Sequence, residues 1–216
     1  MKSFRMLLVL GLITLASGMS LGALQEATWE RAANNVLKFK KIPAVVDIYR
    51  AMGRTVDEAD RLALEEELLA EKRIVDLGER RELLFFVVKR DGEPAAVALE
   101  GVGQGFAGDV GVMIGVDLGS TGVTGVGVTT MSETPGVGTR VREEAFTAQF
   151  AGLTGDTFQV KKDGGTIDAI TGATVSSRAV ADAVTAALAT YREHEEAIRA
   201  AVEAGPAAPD EGGGIS

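Results

Sequence analysis

A turn rich in hydroxyl residues precedes an alanine-rich helical segment, and it is the stretch best suited to chemistry. It reads GGTIDAITGATVSS, Gly164 to Ser177. The N–H groups that begin a helix lack intrahelical acceptors and carry the positive end of the helix dipole, so they suit a phosphate. Here Gly172 allows a tight turn and Ala173 keeps the surface small beside a bulky group. Thr174 presents a hydroxyl where an anion would be held.

The same turn has a simpler interpretation as a helix cap. Thr174, Ser176 or Ser177 can accept a backbone N–H at a helix start, as hydroxyl side chains commonly do. A threonine needs no cofactor to occupy such a position. The residues alone therefore leave a cap and an anion site as alternatives.

The composition excludes several classes of function. The chain has 31 acidic and 22 basic residues and a net charge of −9, which argues against nucleic acid as a partner. It has no cysteine, so disulfides, iron–sulfur clusters and thiolate metal sites are excluded. His194 is the single histidine, and no metal site is expected. If this protein carries electrons, it needs an organic cofactor.

The segment DAITGAT, Asp168 to Thr174, resembles the flavinylation motif Asp-x-x-(Ser/Thr)-Gly-Ala-(Thr/Ser) of the FMN-binding domain family. In that family the last hydroxyl residue is joined to FMN through a phosphoester bond, which a flavin transferase makes from FAD with Mg²⁺. The resemblance implies that Thr174 is the attachment point, with Gly172 and Ala173 beside the cofactor. It also implies that Asp168 serves the transferase reaction and that Thr171 hydrogen-bonds the turn or the phosphate.

Two longer stretches resemble the same family, in the same order along the chain. One is VKKDGGTIDAITGATVSSRAVADAV, which contains the motif. The other, GFAGDVGVMIGVD followed by GVTGVGVTTMSETPGVG, resembles the family's sheet and its Glu-Thr-Pro-Gly loop. The resemblance implies that this loop approaches the flavin: Glu133 and Thr134 contact the ring or fix the loop, and Pro135 and Gly136 let it lie flat. Met131 stands where many relatives have a histidine.

The matches cover most of the chain from Leu83 to Val184, and they imply an electron carrier. A covalent FMN would hold the electrons while the protein orients it, and no catalytic residue is expected on this chain alone. The implied partners are the flavin transferase, the membrane and other membrane subunits of an electron-transport complex. A stand-alone anchored flavoprotein and a non-redox anchored scaffold are the alternatives.

An uncharged run from Met6 to Leu24 follows two basic residues, Lys2 and Arg5. At about 1.5 Å per residue, such a run just spans a hydrocarbon core of roughly 30 Å. We therefore expect a transmembrane helix at 6–24, with residues 1–5 in the cytoplasm because of their positive charge. A cleaved signal peptide is the alternative. In both cases everything after Gln25 lies outside the cytoplasm.

The remaining sequence predicts an α+β domain with a mainly antiparallel sheet packed by helices. Strands are expected at 83–88, 95–102, 109–116 and 122–130, and a long helix at 175–204 with Val180, Val184, Leu188 and Tyr191 on one face. Residues 25–82 are expected to form a membrane-proximal helical region, with a charged helix from Val56 to Asp76. The FMN-binding domain is expected at 83–204 and a disordered tail at 205–216.

Overall fold

The structure is a computed structural model that describes residues 2–78 and 81–206. The chain divides into two compact units, Met1–Phe39 and Lys40–Ser216. The tail predicted at 205–216 lies outside the described residues from position 207 onward.

The second unit is built around a five-stranded antiparallel sheet in which strands adjacent in sequence are adjacent in space. The strands are β1 (Lys72–Asp76), β2 (Glu82–Arg90), β3 (Glu93–Gln104), β4 (Asp109–Asp117) and β5 (Val123–Thr130). Asp91 and Gly92 join β2 to β3 with φ of 54° and 85°, as in the tight turns that match the twist of a hairpin. The predicted α+β class with an antiparallel sheet is confirmed.

Helices of the second unit cover both faces of this sheet. The helices of the chain are α1 (Lys2–Val36), α2 (Ile42–Ala51), α3 (Glu58–Ala70), α4 (Glu144–Thr147), α5 (Thr174–Glu193) and α6 (Glu195–Glu203). α5 packs on one face so closely that a Cβ at Gly103 of β3 would overlap the carbonyl oxygen of Ala179. α2 packs on the other face, where a Cβ at Gly127 of β5 would overlap the backbone of Ala44. The unit is therefore a helix–sheet–helix sandwich.

The predicted apolar face of the long helix is confirmed. Val180, Val184, Leu188 and Tyr191 are all fully buried, and they belong to one core cluster with the side chains of β2, β3 and β4 that point toward α5. This packing fixes the position of the helix start relative to the end of β3.

Two predicted helices have different bounds in the structure. The charged segment predicted as a helix from Val56 to Asp76 is helical only over α3, and its last five residues form β1. They pair with β2, for example Ile74 with Leu84, so sheet pairing overrides the helical pattern. The helix predicted at 175–204 is broken at His194, which has φ −119° and ψ 21°.

The first unit contains α1, a 35-residue helix that includes the run predicted to cross a membrane. Several of its large apolar side chains are exposed, namely Met6, Leu10, Leu12, Ile13, Leu15, Met19, Leu21 and Leu24. Among the residues described by the structure, no helix is both long and apolar enough to span a membrane.

Candidate functional site

The start of α5 has no side-chain cap. It follows Gly172, whose φ of +84° lies in the left-handed region that favours glycine. The N–H of Ser177 donates to the carbonyl of Ala173 at 2.9 Å, which closes the first helical turn. Within the described part of the chain, no hydrogen bond involves the hydroxyl of Thr174. Capping by Thr174 is therefore wrong, and its hydroxyl and the N–H groups of the first turn are available to a ligand.

Ser177 and Arg178 hold the preceding turn against the helix. The Ser177 hydroxyl accepts the N–H of Ile170 at 3.0 Å and donates to the carbonyl of Ala173 at 2.9 Å. The Arg178 guanidinium binds both carboxylate oxygens of Asp163, at 2.5 and 2.7 Å, and this pairing lowers the pKa of Asp163. The turn that presents Thr174 is thus fixed from both sides.

Glu133 is a buried carboxylate at the centre of this region, with 6% of its surface exposed. Its Oε1 accepts the N–H groups of Phe106 and Ala107, at 2.8 and 3.1 Å, and its Oε2 accepts the Ser176 hydroxyl at 2.5 Å. Burial raises the pKa of Glu133, but the hydrogen bonds from Ser176, Ala107 and Phe106 outweigh it and leave the pKa below its ordinary value. Glu133 therefore joins the β3–β4 connection to the first turn of α5.

The predicted Glu-Thr-Pro-Gly loop is a tight turn beside Glu133. The N–H of Val137 donates to the carbonyl of Thr134 at 3.2 Å, which closes a four-residue turn. Pro135 occupies its second position, and Gly136 occupies its third with φ +74°, as in a type II turn. The N–H of Gly136 also donates to the Thr139 hydroxyl at 2.9 Å.

A cavity of about 350 Å³ lies between this turn, the β3–β4 connection and the start of α5. It is lined by Phe106, Glu133, Thr134, Val137, Gly138, Gly172, Ala173, Thr174, Val175 and Ser176. Its volume falls within the range of small-ligand sites. The structure thus brings together five of the nine residues predicted from the sequence: Glu133, Thr134, Gly172, Ala173 and Thr174.

The other four predicted residues do not line the cavity. Pro135 and Gly136 shape the turn but stay exposed outside it, and Thr171 is exposed on the preceding loop. Asp168 is also exposed, with its carboxylate 2.7 Å from the ammonium of Lys161. Its backbone N–H and carbonyl are both bound by the side-chain amide of Gln149, at 2.7 and 3.3 Å.

The sequence analysis did not identify three apolar side chains that line the cavity. Phe106, Val137 and Val175 are 75%, 42% and 41% exposed. The signal available in the sequence was the position of Phe106 between glycines in GFAG, because a bulky apolar residue at the tip of a connection is exposed unless something covers it.

A larger cleft, of about 700 Å³, lies elsewhere, and Tyr49, Arg54 and Lys89 are among its lining residues. Arg54 stacks on the ring of Tyr49 at 5.1 Å, and the ammonium of Lys89 lies 2.6 Å from the carboxylate of Glu71. These charged groups are already partnered, and none of the nine predicted residues lines this cleft. Volume alone therefore does not identify the site.

The architecture and the cavity define a class of domain that has known members. Residues 105–189 match the model of the FMN-binding domain family. The match covers β4, β5, the Glu-Thr-Pro-Gly turn and most of α5. It confirms the class of domain indicated by the sequence motifs.

Relatives of known name point to a particular component of a larger complex, the one designated G in the ion-translocating oxidoreductase complex and called the G-type subunit below. The chain is 35% identical over 133 residues to this component from Shewanella piezotolerans, covering 58% of this chain and 62% of that protein. It is 33% identical over 132 residues to its counterpart from Aliivibrio fischeri, covering 57% and 62%. The chain thus spans 62% of the length of these two relatives.

Solved structures share the fold. NqrC, the C-type subunit of the Na⁺-translocating NADH-quinone reductase, superposes in its Parabacteroides distasonis form with a TM-score of 0.54 and 20% identity, over 68% of this chain and 88% of that one. Shewanella oneidensis NqrC gives a TM-score of 0.56 and 16% identity, over 78% and 99%. At such identities the similarity establishes the fold alone.

Proposed function

We propose that this chain is an electron-carrying subunit of a membrane-bound, ion-translocating oxidoreductase of the Rnf type, equivalent to the G-type subunit of that complex. It carries electrons on an FMN joined to Thr174 and is one relay in the complex, without a complete active site of its own. The observation that carries the proposal is the position of the Thr174 hydroxyl. It has no hydrogen-bond partner within the described part of the chain and lies at an uncapped helix start on a cavity closed by the Glu-Thr-Pro-Gly turn.

The residues of the cavity fit the two chemically different ends of FMN. The first turn of α5 offers N–H groups and the positive end of the helix dipole to a phosphate. Phe106, Val137 and Val175 offer apolar surface to a flat aromatic ring. The bound flavin supplies the redox chemistry, and the residues of this chain hold its phosphate, shield its ring and set its position.

Attachment consumes FAD. The Thr174 oxygen forms a bond to the phosphorus of the FMN half, the pyrophosphate bond breaks, AMP leaves and the hydroxyl proton goes to a base. Among the described residues, no carboxylate other than Glu133 lines the cavity, and Glu133 already accepts three hydrogen bonds. We therefore assign the base and the Mg²⁺ to the flavin transferase. Asp168 is exposed outside the cavity, where the transferase can bind it.

The chain acts at a membrane in this proposal. Relatives named as components of an ion-translocating complex and the exposed apolar side chains of α1 support it. We propose that α1 anchors the chain through residues 6–24, with Lys2 and Arg5 in the cytoplasm and the sheet domain outside. Resistance of the membrane-bound chain to carbonate extraction, and digestion of its domain by protease added from outside, are the expected results.

A second candidate is the C-type subunit of the Na⁺-translocating NADH:quinone oxidoreductase, because the similar solved structures have that identity. The G-type relatives are closer in sequence, at 33–35% against 16–20%. A stand-alone anchored flavoprotein is a third candidate. Co-purification of the tagged chain with its membrane partners separates the three, because each proposal names a different set of partners.

The decisive experiment measures flavin on the denatured chain. The full chain is expressed with a flavin transferase, and its intact mass and in-gel fluorescence are recorded. We expect an added FMN moiety that persists in Thr174→Ser and is absent in Thr174→Ala. Thr190→Ala, on the same helix about four turns away, is the control and should keep its flavin. Native protein without added mass, or flavin retained in Thr174→Ala, would refute the assignment.

A further inference from the structure

The most exposed aromatic side chain among the described residues of the sheet domain lies at the cavity. Phe106 is 75% exposed and stands at the tip of the connection between β3 and β4. Large apolar side chains left singly on a surface are common. Phe106 differs because Val137 and Val175, both partly exposed, line the same cavity, and so does the Thr174 hydroxyl.

The backbone under Phe106 is held in place by a buried charge. The Oε1 of Glu133 accepts the N–H groups of both Phe106 and Ala107. Gly105 is required beside them, because a Cβ there would lie 2.4 Å from Oε1 of Glu133 and 2.6 Å from the carbonyl oxygen of Gly108. The tip is therefore a fixed support for an exposed aromatic ring.

The same carboxylate connects this support to the flavin attachment point. The Oε2 of Glu133 accepts the Ser176 hydroxyl at 2.5 Å, and Ser176 is two residues from Thr174. Gly138 packs into the junction, where a Cβ would lie 2.7 Å from the Cβ of Glu133. One buried carboxylate thus sets the distance between the aromatic side chain and the hydroxyl.

We propose that Phe106 is the side chain that covers the isoalloxazine ring, and that Glu133 is the positioning residue that holds it over the ring. The inference rests on the function proposed above, since it requires flavin at Thr174. Phenylalanine suits this role because an aromatic face stacks on a flat ring and excludes water without donating a hydrogen bond. Removing Phe106 should expose the flavin to solvent without detaching it.

The test is quenching of the native flavin fluorescence by iodide, on the full chain loaded with flavin and purified in detergent. We expect Phe106→Ala to raise the quenching constant about twofold, because an aromatic side chain covers a large part of a ring. Val102→Ala is the control: Val102 lies on the same strand, is 55% exposed and does not line the cavity. Its quenching constant should equal that of the native chain.

Two further variants test contact and positioning. Phe106→Trp should abolish most of the native flavin emission, because indole in contact with a flavin quenches it, and unfolding should restore the emission. Val102→Trp should leave the emission unchanged. If Glu133 acts through Phe106, Glu133→Ala should raise the iodide constant in the native chain but add nothing in the Phe106→Ala background.

The outcomes separate this inference from the proposed function. In-gel fluorescence of each denatured variant reports attachment independently of the ring environment. An absence of flavin in the native chain overturns both proposals. Flavin present with the same iodide constant in Phe106→Ala and native protein, or Phe106→Trp with undiminished emission, overturns the inference about Phe106 alone.

Discussion

Replacing Glu133 by glutamine removes the buried negative charge while keeping the shape of the side chain. Its three hydrogen bonds then join neutral groups. Hydrogen bonds to charged groups contribute roughly 1.5–3 kcal/mol and neutral ones about 0.5–1.5 kcal/mol. A loss of about 1 kcal/mol per bond, reduced by local relaxation, gives a destabilisation of about 2 kcal/mol. With a urea slope of about 2 kcal/mol/M, the unfolding midpoint should fall by about 1 M.

The pH dependence gives this prediction a sharper test. The hydrogen bonds to Glu133 lower its pKa in the folded chain below the ordinary value of 4.5. A carboxylate whose pKa is lowered by folding stabilises the fold fully above its unfolded pKa and loses that contribution as the pH falls through the folded value. The difference in unfolding free energy between native and Glu133→Gln protein should therefore be constant at pH 6–7 and shrink below pH 4.5.

The assay is urea unfolding of the full chain in detergent, followed by circular dichroism at a series of pH values. Glu143→Gln is the matched control, because Glu143 is exposed and pairs with Arg140 at 3.3 Å. A surface pair of this kind contributes less than about 1 kcal/mol. A stability difference for Glu133→Gln that is the same at pH 7 and pH 3 would refute the reasoning about the buried charge.

The other predictions concern packing, recognition and the turn. Gly103→Ala should destabilise the domain by about 2 kcal/mol or more in urea unfolding, because the new Cβ overlaps the carbonyl of Ala179; an unchanged midpoint would contradict the packing. Asp168→Asn should lower the yield of flavin attachment in intact-mass spectra and leave the urea midpoint unchanged, since Asp168 is exposed and pairs with Lys161; full attachment would remove its assigned role. Gly172→Ala should destabilise the fold by about 1 kcal/mol because of its φ of +84°, whereas Gly172→Asn should recover most of this loss in the same assay.

Much of the fold followed from local patterns in the sequence. The alternation and β-branched content of β2 to β5 mark strands whatever their neighbours are, and the stripe from Val180 to Tyr191 marks a buried helix face. β1 could not be found this way. Its five residues continue a charged helical pattern, and they become a strand because β2 offers an edge at the right place, with Arg73 opposite Phe85. Such pairing is a property of the tertiary structure.

The candidate site divides in the same way. The family motif identified Thr174, Gly172 and Ala173 because they are consecutive, and the Glu-Thr-Pro-Gly turn is short enough to read directly. The sequence left open whether Glu133 contacts the ring or fixes the loop. The structure has Glu133 bonded to Ser176, 43 residues away. Long-range contacts of this kind depend on how α5 docks on the sheet, and the sequence pattern does not contain them.

The hydrogen bond between Glu133 and Ser176 has a consequence for maturation. The connections of the sheet are all between neighbours in sequence, whereas this bond exists only when the last long helix is seated on the completed sheet. A chain with the sheet formed but the helix detached has the acceptor threonine in an unstructured segment, away from the cavity. Labelling by the transferase therefore marks finished molecules, and the fraction of chains that carry the chromophore is a direct measure of correct assembly.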